Sequence, residues 1–184
     1  MAVRHTPGRA LAAHLRRGGL IAYPTESCYG LGCDPVNRRA VQHILKLKQR
    51  SKNKGLILIA SDYHQVSRYL LPRTPEEQAM LIHDGAQAIT YLLPVKASCP
   101  RWLRGKHDTL AVRFTTHTVA RQLCRSARSA LVSTSANLSG QRPAKTAAQC
   151  RRIFGNSVRV LLGQVGSRKQ PSTICRWADG KVVR

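Results

Sequence analysis

Acidic side chains are scarce in this chain of 184 residues: 8 Asp+Glu stand against 31 Lys+Arg, for a net charge of +23. With so few carboxylates, a metal centre built on clustered acids has little to draw on. Aromatic residues are only 5% of the chain, too few to build a base-stacking RNA platform. No apolar run approaches the roughly 18 residues that a membrane-spanning helix needs. The first nineteen residues carry Arg4, Arg9, Arg16 and Arg17 and no continuous apolar stretch, so a secretory signal is not expected. The six cysteines, Cys28, Cys33, Cys99, Cys124, Cys150 and Cys175, form no C-x-x-C pair. Zinc is therefore disfavoured, and reduced thiols in a cytoplasmic protein are expected. No G-x-x-x-x-G-K-[ST] loop and no G-x-S-x-G elbow is present.

What is present is cationic and unevenly spread. Residues 1–60 hold 11 basic and 2 acidic side chains, residues 61–120 hold 7 and 5, and residues 121–184 hold 13 and 1. Such a balance points to a polyanionic partner: nucleic acid, nucleotide phosphates or anionic lipid. Hydrophobic residues make up 42%, enough for a folded core at a length that favours one domain, 1–184.

Short apolar runs alternate with helical periodicity, the pattern of an α/β fold. Thr6-Pro7 predicts a helix start, with Leu11, Ala12 and Leu15 on one face. Leu20–Tyr23 reads as a strand, and Asn37 caps a helix through Val41, Ile44 and Leu45. Gly55–Ala60 reads as a buried strand. Asp62 caps a short helix through Val66 and Tyr69-Leu70. Thr74-Pro75-Glu76-Glu77 and Thr146–Gln149 are capping boxes. Further strands are expected at Ile89–Leu93, Thr109–Phe114, Ala130–Thr134, Val158–Leu162 and Thr173–Trp177, with a helix from Thr118 to Arg128.

Four segments could carry chemistry. Tyr23–Gly32 (YPTESCYGLG) combines a strand end, a polar trio and two glycines. Lys46–Lys54 places five cations in nine residues before an apolar strand, where phosphate could be held. Ser133–Gly140 brings hydroxyls and an amide to a strand end. Gln170–Ile174 is polar. Arg113 lies within an apolar strand, where a cation usually has an anionic partner. From pattern alone the first two fit an ordinary loop and a solvated helix end as well as a binding site. A serine hydrolase is disfavoured, since a base would lack an acid to orient it.

In this order the segments resemble the YrdC/TsaC family of threonylcarbamoyl-AMP synthases. The likeness rests on Tyr23–Glu26 with Tyr29–Gly32, the K-x-R of Lys48 and Arg50, Gly55–Ile59, Leu110–Arg113, the S-x-N of Ser135 and Asn137, and Pro171–Ile174. It implies a single-domain twisted mixed sheet with flanking helices around a basic cavity. It implies nucleotidyl transfer in which ATP, L-threonine and bicarbonate give threonylcarbamoyl-AMP and pyrophosphate for tRNA modification. Lys48 and Arg50 would be catalytic, and with Lys52, Ser135 and Asn137 would hold ATP. Thr25, Thr90, Arg113 and Ser172 would line the threonine end. Mg²⁺ would be held mainly through phosphates, with no protein metal site. tRNA or double-stranded RNA and other tRNA-modification enzymes are the expected macromolecular partners. A basic RNA-binding or ribosome-associated protein without this catalysis is the rival expectation. The chain departs from the family pattern at Ser51, usually proline, at Ala86-Gln87-Ala88 before Thr90, and at His117-Thr118.

Overall fold

The computed structural model describes residues 8–84 and 87–183. The expected Thr6-Pro7 helix start and the Ala86 departure lie outside them. The strands are β1 (Ile21–Pro24), β2 (Tyr29–Cys33), β3 (Ile57–Ala60), β4 (Ile89–Pro94), β5 (Thr109–Phe114), β6 (Leu131–Ser135), β7 (Arg159–Val160) and β8 (Thr173–Arg176). The helices are α1 (Gly8–Arg16), α2 (Arg38–Leu47), α3 (His64–Ser67), α4 (Pro75–Asp84), α5 (Arg101–Arg104), α6 (Thr118–Ala127) and α7 (Ala147–Phe154). All eight strands form one mixed sheet in the order β7-β1-β2-β6-β3-β5-β4-β8. β1–β7, β3–β5 and β4–β8 are parallel pairs, and the remaining pairs are antiparallel.

Local signals account for the helix ends. The Asn37 side chain accepts the Ala40 amide at 3.0 Å. Thr74 and Glu77 exchange bonds of 2.9 and 3.3 Å, as do Thr146 and Gln149 at 3.1 and 3.2 Å. Asp62 accepts the Gln65 amide at 3.3 Å, but α3 ends at Ser67. Tyr69 and Leu70 lie beyond it, and Leu70 bridges to Val95.

One strand departs from expectation. Tyr29–Cys33, expected as loop, is a fully buried strand inside the sheet. Its glycines make room for the Tyr23 ring. A Cβ at Gly32 would meet the Val132 carbonyl at 2.5 Å and the ring at 3.0 Å, and one at Gly30 would meet the ring at 3.2 Å.

The side-chain period of two divides the sheet faces. Leu58, Ala60, Leu110, Val112, Phe114 and Val132 enter the larger core, together with Val41 and Ile44 of α2 and Leu103 of α5. On the opposite face Ile21, Tyr23 and Leu131 pack against Leu11 and Leu15 of α1 and Leu123 of α6. These two helices cover only part of that face. The uncovered part, over β3 and β5, is the floor of a cavity lined by Ile57, Ile59, Thr109, Ala111 and Arg113.

Because β7 and β8 sit at opposite edges, residues 161–172 must cross the sheet between them. This strap is tied down where it passes β1 and β2. Gly166 N–H bonds the Thr25 carbonyl at 2.9 Å, Arg168 N–H bonds the Glu26 carbonyl at 3.1 Å, and the Tyr29 hydroxyl donates to the Gly163 carbonyl at 2.9 Å.

Candidate active site

The cavity has a volume of about 860 Å³. Arg50, Lys54, Arg104, Arg113, Arg142, Lys145 and Lys169 contribute to its lining, against Glu26 as the one acid among its described residues. The volume suits a nucleotide-sized ligand, and the charge suits an anion.

Part of the lining comes from Ser133, Thr134 and Ser135 of β6 and from Arg142, Pro143 and Lys145, on either side of the turn that follows β6. Lys48, the C-cap residue of α2, is only 8% exposed and sends its ammonium beneath this turn. Nζ donates to the Ser135 carbonyl at 2.7 Å, to Ser135 Oγ at 3.3 Å and to Asn137 Oδ1. Ser135 Oγ donates to the same Oδ1 at 2.7 Å, and Asn137 Nδ2 donates to the Gln141 carbonyl at 2.6 Å. Burial, and after it the neighbouring Arg50 charge, push the Lys48 ammonium down to about 8. Ser135 lines the cavity; Lys48 and Asn137 stand behind it. Arg50 lines the cavity and donates from Nη2 and Nε to the Gly55 carbonyl at 2.9 and 3.2 Å. Lys52 is exposed and outside the lining, whereas Lys54, two residues on in the same 3₁₀ turn, is part of it.

Thr25, Arg113 and Ser172 also line the cavity. Thr25 Oγ1 donates to the Cys28 carbonyl at 2.8 Å, which closes the turn between β1 and β2. Thr90 is fully buried behind Ser172 and donates to its Oγ at 2.8 Å. Ala88, in the departing stretch before Thr90, has a φ of 55°, a conformation that favours glycine. Arg113 is ion-paired with Glu26, whose Oε1 also accepts the Thr115 hydroxyl at 2.8 Å. Burial pushes the Arg113 guanidinium down to about 10, so it remains a cation at neutral pH. Glu26, Arg104 and Arg142 carry no role in the sequence pattern, whereas Lys54 belongs to the cationic run expected to hold phosphate. For Glu26 a signal existed: Arg113 in an apolar strand required an anion, and residues 1–60 offer only Glu26 and Asp34. Cys28 also lines the cavity, and burial pushes its thiol up, away from the reactive thiolate.

This geometry defines an α/β protein whose single sheet carries a cation-lined cavity on its partly uncovered face. The chain belongs to the Sua5/YciO/YrdC family, whose sequence model, described as telomere recombination, matches residues 13–184. It is 50% identical over 174 residues to a threonylcarbamoyl-AMP synthase of Thiobacillus denitrificans, covering 95% of this chain and 93% of that one. It is 49% identical over 176 residues to that of Methylobacillus flagellatus, covering 96% and 98%. Among solved structures, P. abyssi Sua5 complexed with L-threonine superposes with a TM-score of 0.82 at 28% identity. That match covers 96% of this chain and 53% of Sua5, so the chain spans about half of the Sua5 length. E. coli YciO, at 23% identity and a TM-score of 0.79, shares the fold.

Proposed function

We propose that residues 1–184 act as one YrdC-like domain, a cytoplasmic L-threonylcarbamoyladenylate synthase that converts ATP, L-threonine and bicarbonate to threonylcarbamoyl-AMP, pyrophosphate and water. The observation that carries this reading is near-complete, roughly half-identical coverage of synthases bearing that name. The cavity chemistry agrees with it. The threonine amine and bicarbonate form a carbamate; a carbamate oxygen attacks the α-phosphorus, and the bond to pyrophosphate breaks. No protein nucleophile is required. The protein's part is positioning and the neutralising of phosphate charge.

In this reading Arg50, Lys54 and Ser135 contact the nucleotide. Lys48 shapes the Ser135–Asn137 turn from beneath and places its charge within hydrogen-bond reach of Ser135. Lys52, outside the lining, contributes long-range attraction only. Thr25, Arg113 and Ser172 receive threonine, and Thr90 acts through Ser172. Glu26, the acid of the cavity, is already engaged by Arg113. Mg²⁺ would therefore be held by phosphate oxygens and water.

Most of the +23 lies outside the cavity, which supports a polyanionic partner, tRNA or double-stranded RNA, for the same chain. Other tRNA-modification enzymes would then receive the product. Mass spectrometry of the products tests the reading. Incubation with ATP, L-threonine and ¹³C-bicarbonate should give a labelled threonylcarbamoyl-AMP. ADP, or AMP without the labelled adduct, would overturn it.

A further inference from the structure

The cation expected to receive the substrate carboxylate is already neutralised. Arg113 forms an ion pair with Glu26, and both side chains are largely withdrawn from solvent, at 12% and 16% exposed. Glu26 is held from three sides. Its Oε1 accepts the Thr115 hydroxyl at 2.8 Å, and its backbone carbonyl accepts the Arg168 amide at 3.1 Å. Gly166 of the strap packs so closely that a Cβ there would lie 2.7 Å from the Glu26 carbonyl. Arg113 Nε is itself buried and makes no hydrogen bond among the described residues, so the guanidinium is not saturated by Glu26.

A simple carboxylate or phosphate entering this end must share or take Arg113, leaving Glu26 as a buried anion with its partner weakened. Uncompensated buried charge is strongly unfavourable. An α-amino acid avoids that cost, because it brings a cation for Glu26 together with an anion for Arg113. We infer that Glu26 and Arg113 form a zwitterion clamp on binding, in which Glu26 takes the substrate's α-ammonium while Arg113 takes its carboxylate. The ammonium then gives its proton to solvent and meets bicarbonate as the neutral amine. Glu26 is thereby a specificity-determining residue. It admits amino acids and turns away phosphates and hydroxy acids in a cavity otherwise rich in cations. This inference rests on the proposed threonine site and adds the group that reads the amine.

The test compares two ligands in wild type and in Glu26→Gln. Glutamine keeps the acceptor for Thr115 and nearly the same shape. The ligands are L-threonine and (R)-3-hydroxybutyrate, which is L-threonine without its amine, with affinities measured by calorimetry. Pyrophosphate release by wild type, with and without threonine, is the control for the underlying reading. If wild type is inactive, that reading fails on its own. If it is active, Glu26→Gln should weaken threonine by about tenfold to a hundredfold, the loss of one bond to a charged group. The same change should leave (R)-3-hydroxybutyrate unchanged or tighter, because Arg113 has lost its competitor. A parallel loss for both ligands marks a merely structural role and overturns the inference. So does unchanged threonine affinity. ATP affinity within about twofold of wild type, set against the usual tenfold scale of a lost contact, establishes that the variant is folded.

Discussion

The ammonium of Lys48 and the side-chain oxygen of Asn137, 89 residues apart in sequence, are joined in a buried hydrogen bond beneath the cavity wall. Lys48 thus meets the cavity from behind, through the turn that Ser135 and Asn137 build. That position has separable consequences for activity and stability.

Lys48→Met should lower kcat/KM by at least about tenfold, mostly through ATP, because the Ser135–Asn137 turn loses its charged donor. Its unfolding free energy should stay within about 1 kcal/mol of wild type. The lost hydrogen bonds and the relieved burial of a charge are both of the order of 1–3 kcal/mol and oppose each other. Steady-state kinetics and urea unfolding on the same preparation check both halves.

The pH response should divide in the same way. The folded pKa of Lys48, about 8, lies below its ordinary value of 10.5. The native state bears the full cost of the buried cation below pH 8, and that cost is relieved as pH rises from about 8 to about 10.5. This group therefore adds stability across that window, while activity that needs its charge falls through about pH 8. Parallel pH profiles of kcat/KM and of denaturant midpoint check this, and the activity limb should vanish in Lys48→Met.

Lys54→Ala should raise the KM for ATP about threefold to tenfold and leave the KM for threonine in place, since Lys54 lines the cavity and Lys52 does not. Lys52→Ala should change the ATP value by less than about twofold at physiological salt, where exposed charges are screened. Kinetics with each substrate varied in turn decide the matter.

Gly32→Ala should destabilise the fold by about 3 kcal/mol, the upper range of core overpacking. The added Cβ would stand 2.5 Å from a backbone carbonyl in the middle of the sheet. Thermal unfolding measures it.

How much of this was legible in the sequence depends on the range of the interaction. Caps and capping boxes are local, and Asn37, Thr74 and Thr146 act as read. The Thr109–Phe114 strand was placed correctly, but its alternation, with Thr109, Ala111 and Arg113 toward the cavity, depends on α1 and α6 leaving part of one face uncovered. β2 was unreadable because its glycines answer to the Tyr23 ring, a contact across the sheet. The same holds at the site. The K-x-R and S-x-N patterns single out Lys48, Arg50, Ser135 and Asn137, of which Arg50 and Ser135 line the cavity and Lys48 and Asn137 stand behind it. That Lys48 lies under the wall, that Thr90 stands behind Ser172, and that Glu26 holds Arg113 are products of sheet order and the strap.

The most direct test of the account is pyrophosphate release by the purified chain, with each of ATP, L-threonine and bicarbonate omitted in turn. The account predicts release only when all three are present, and at least about tenfold less from Arg50→Ala, which loses a charged phosphate contact. Release that continues unchanged without threonine, or none from the complete mixture, would contradict it.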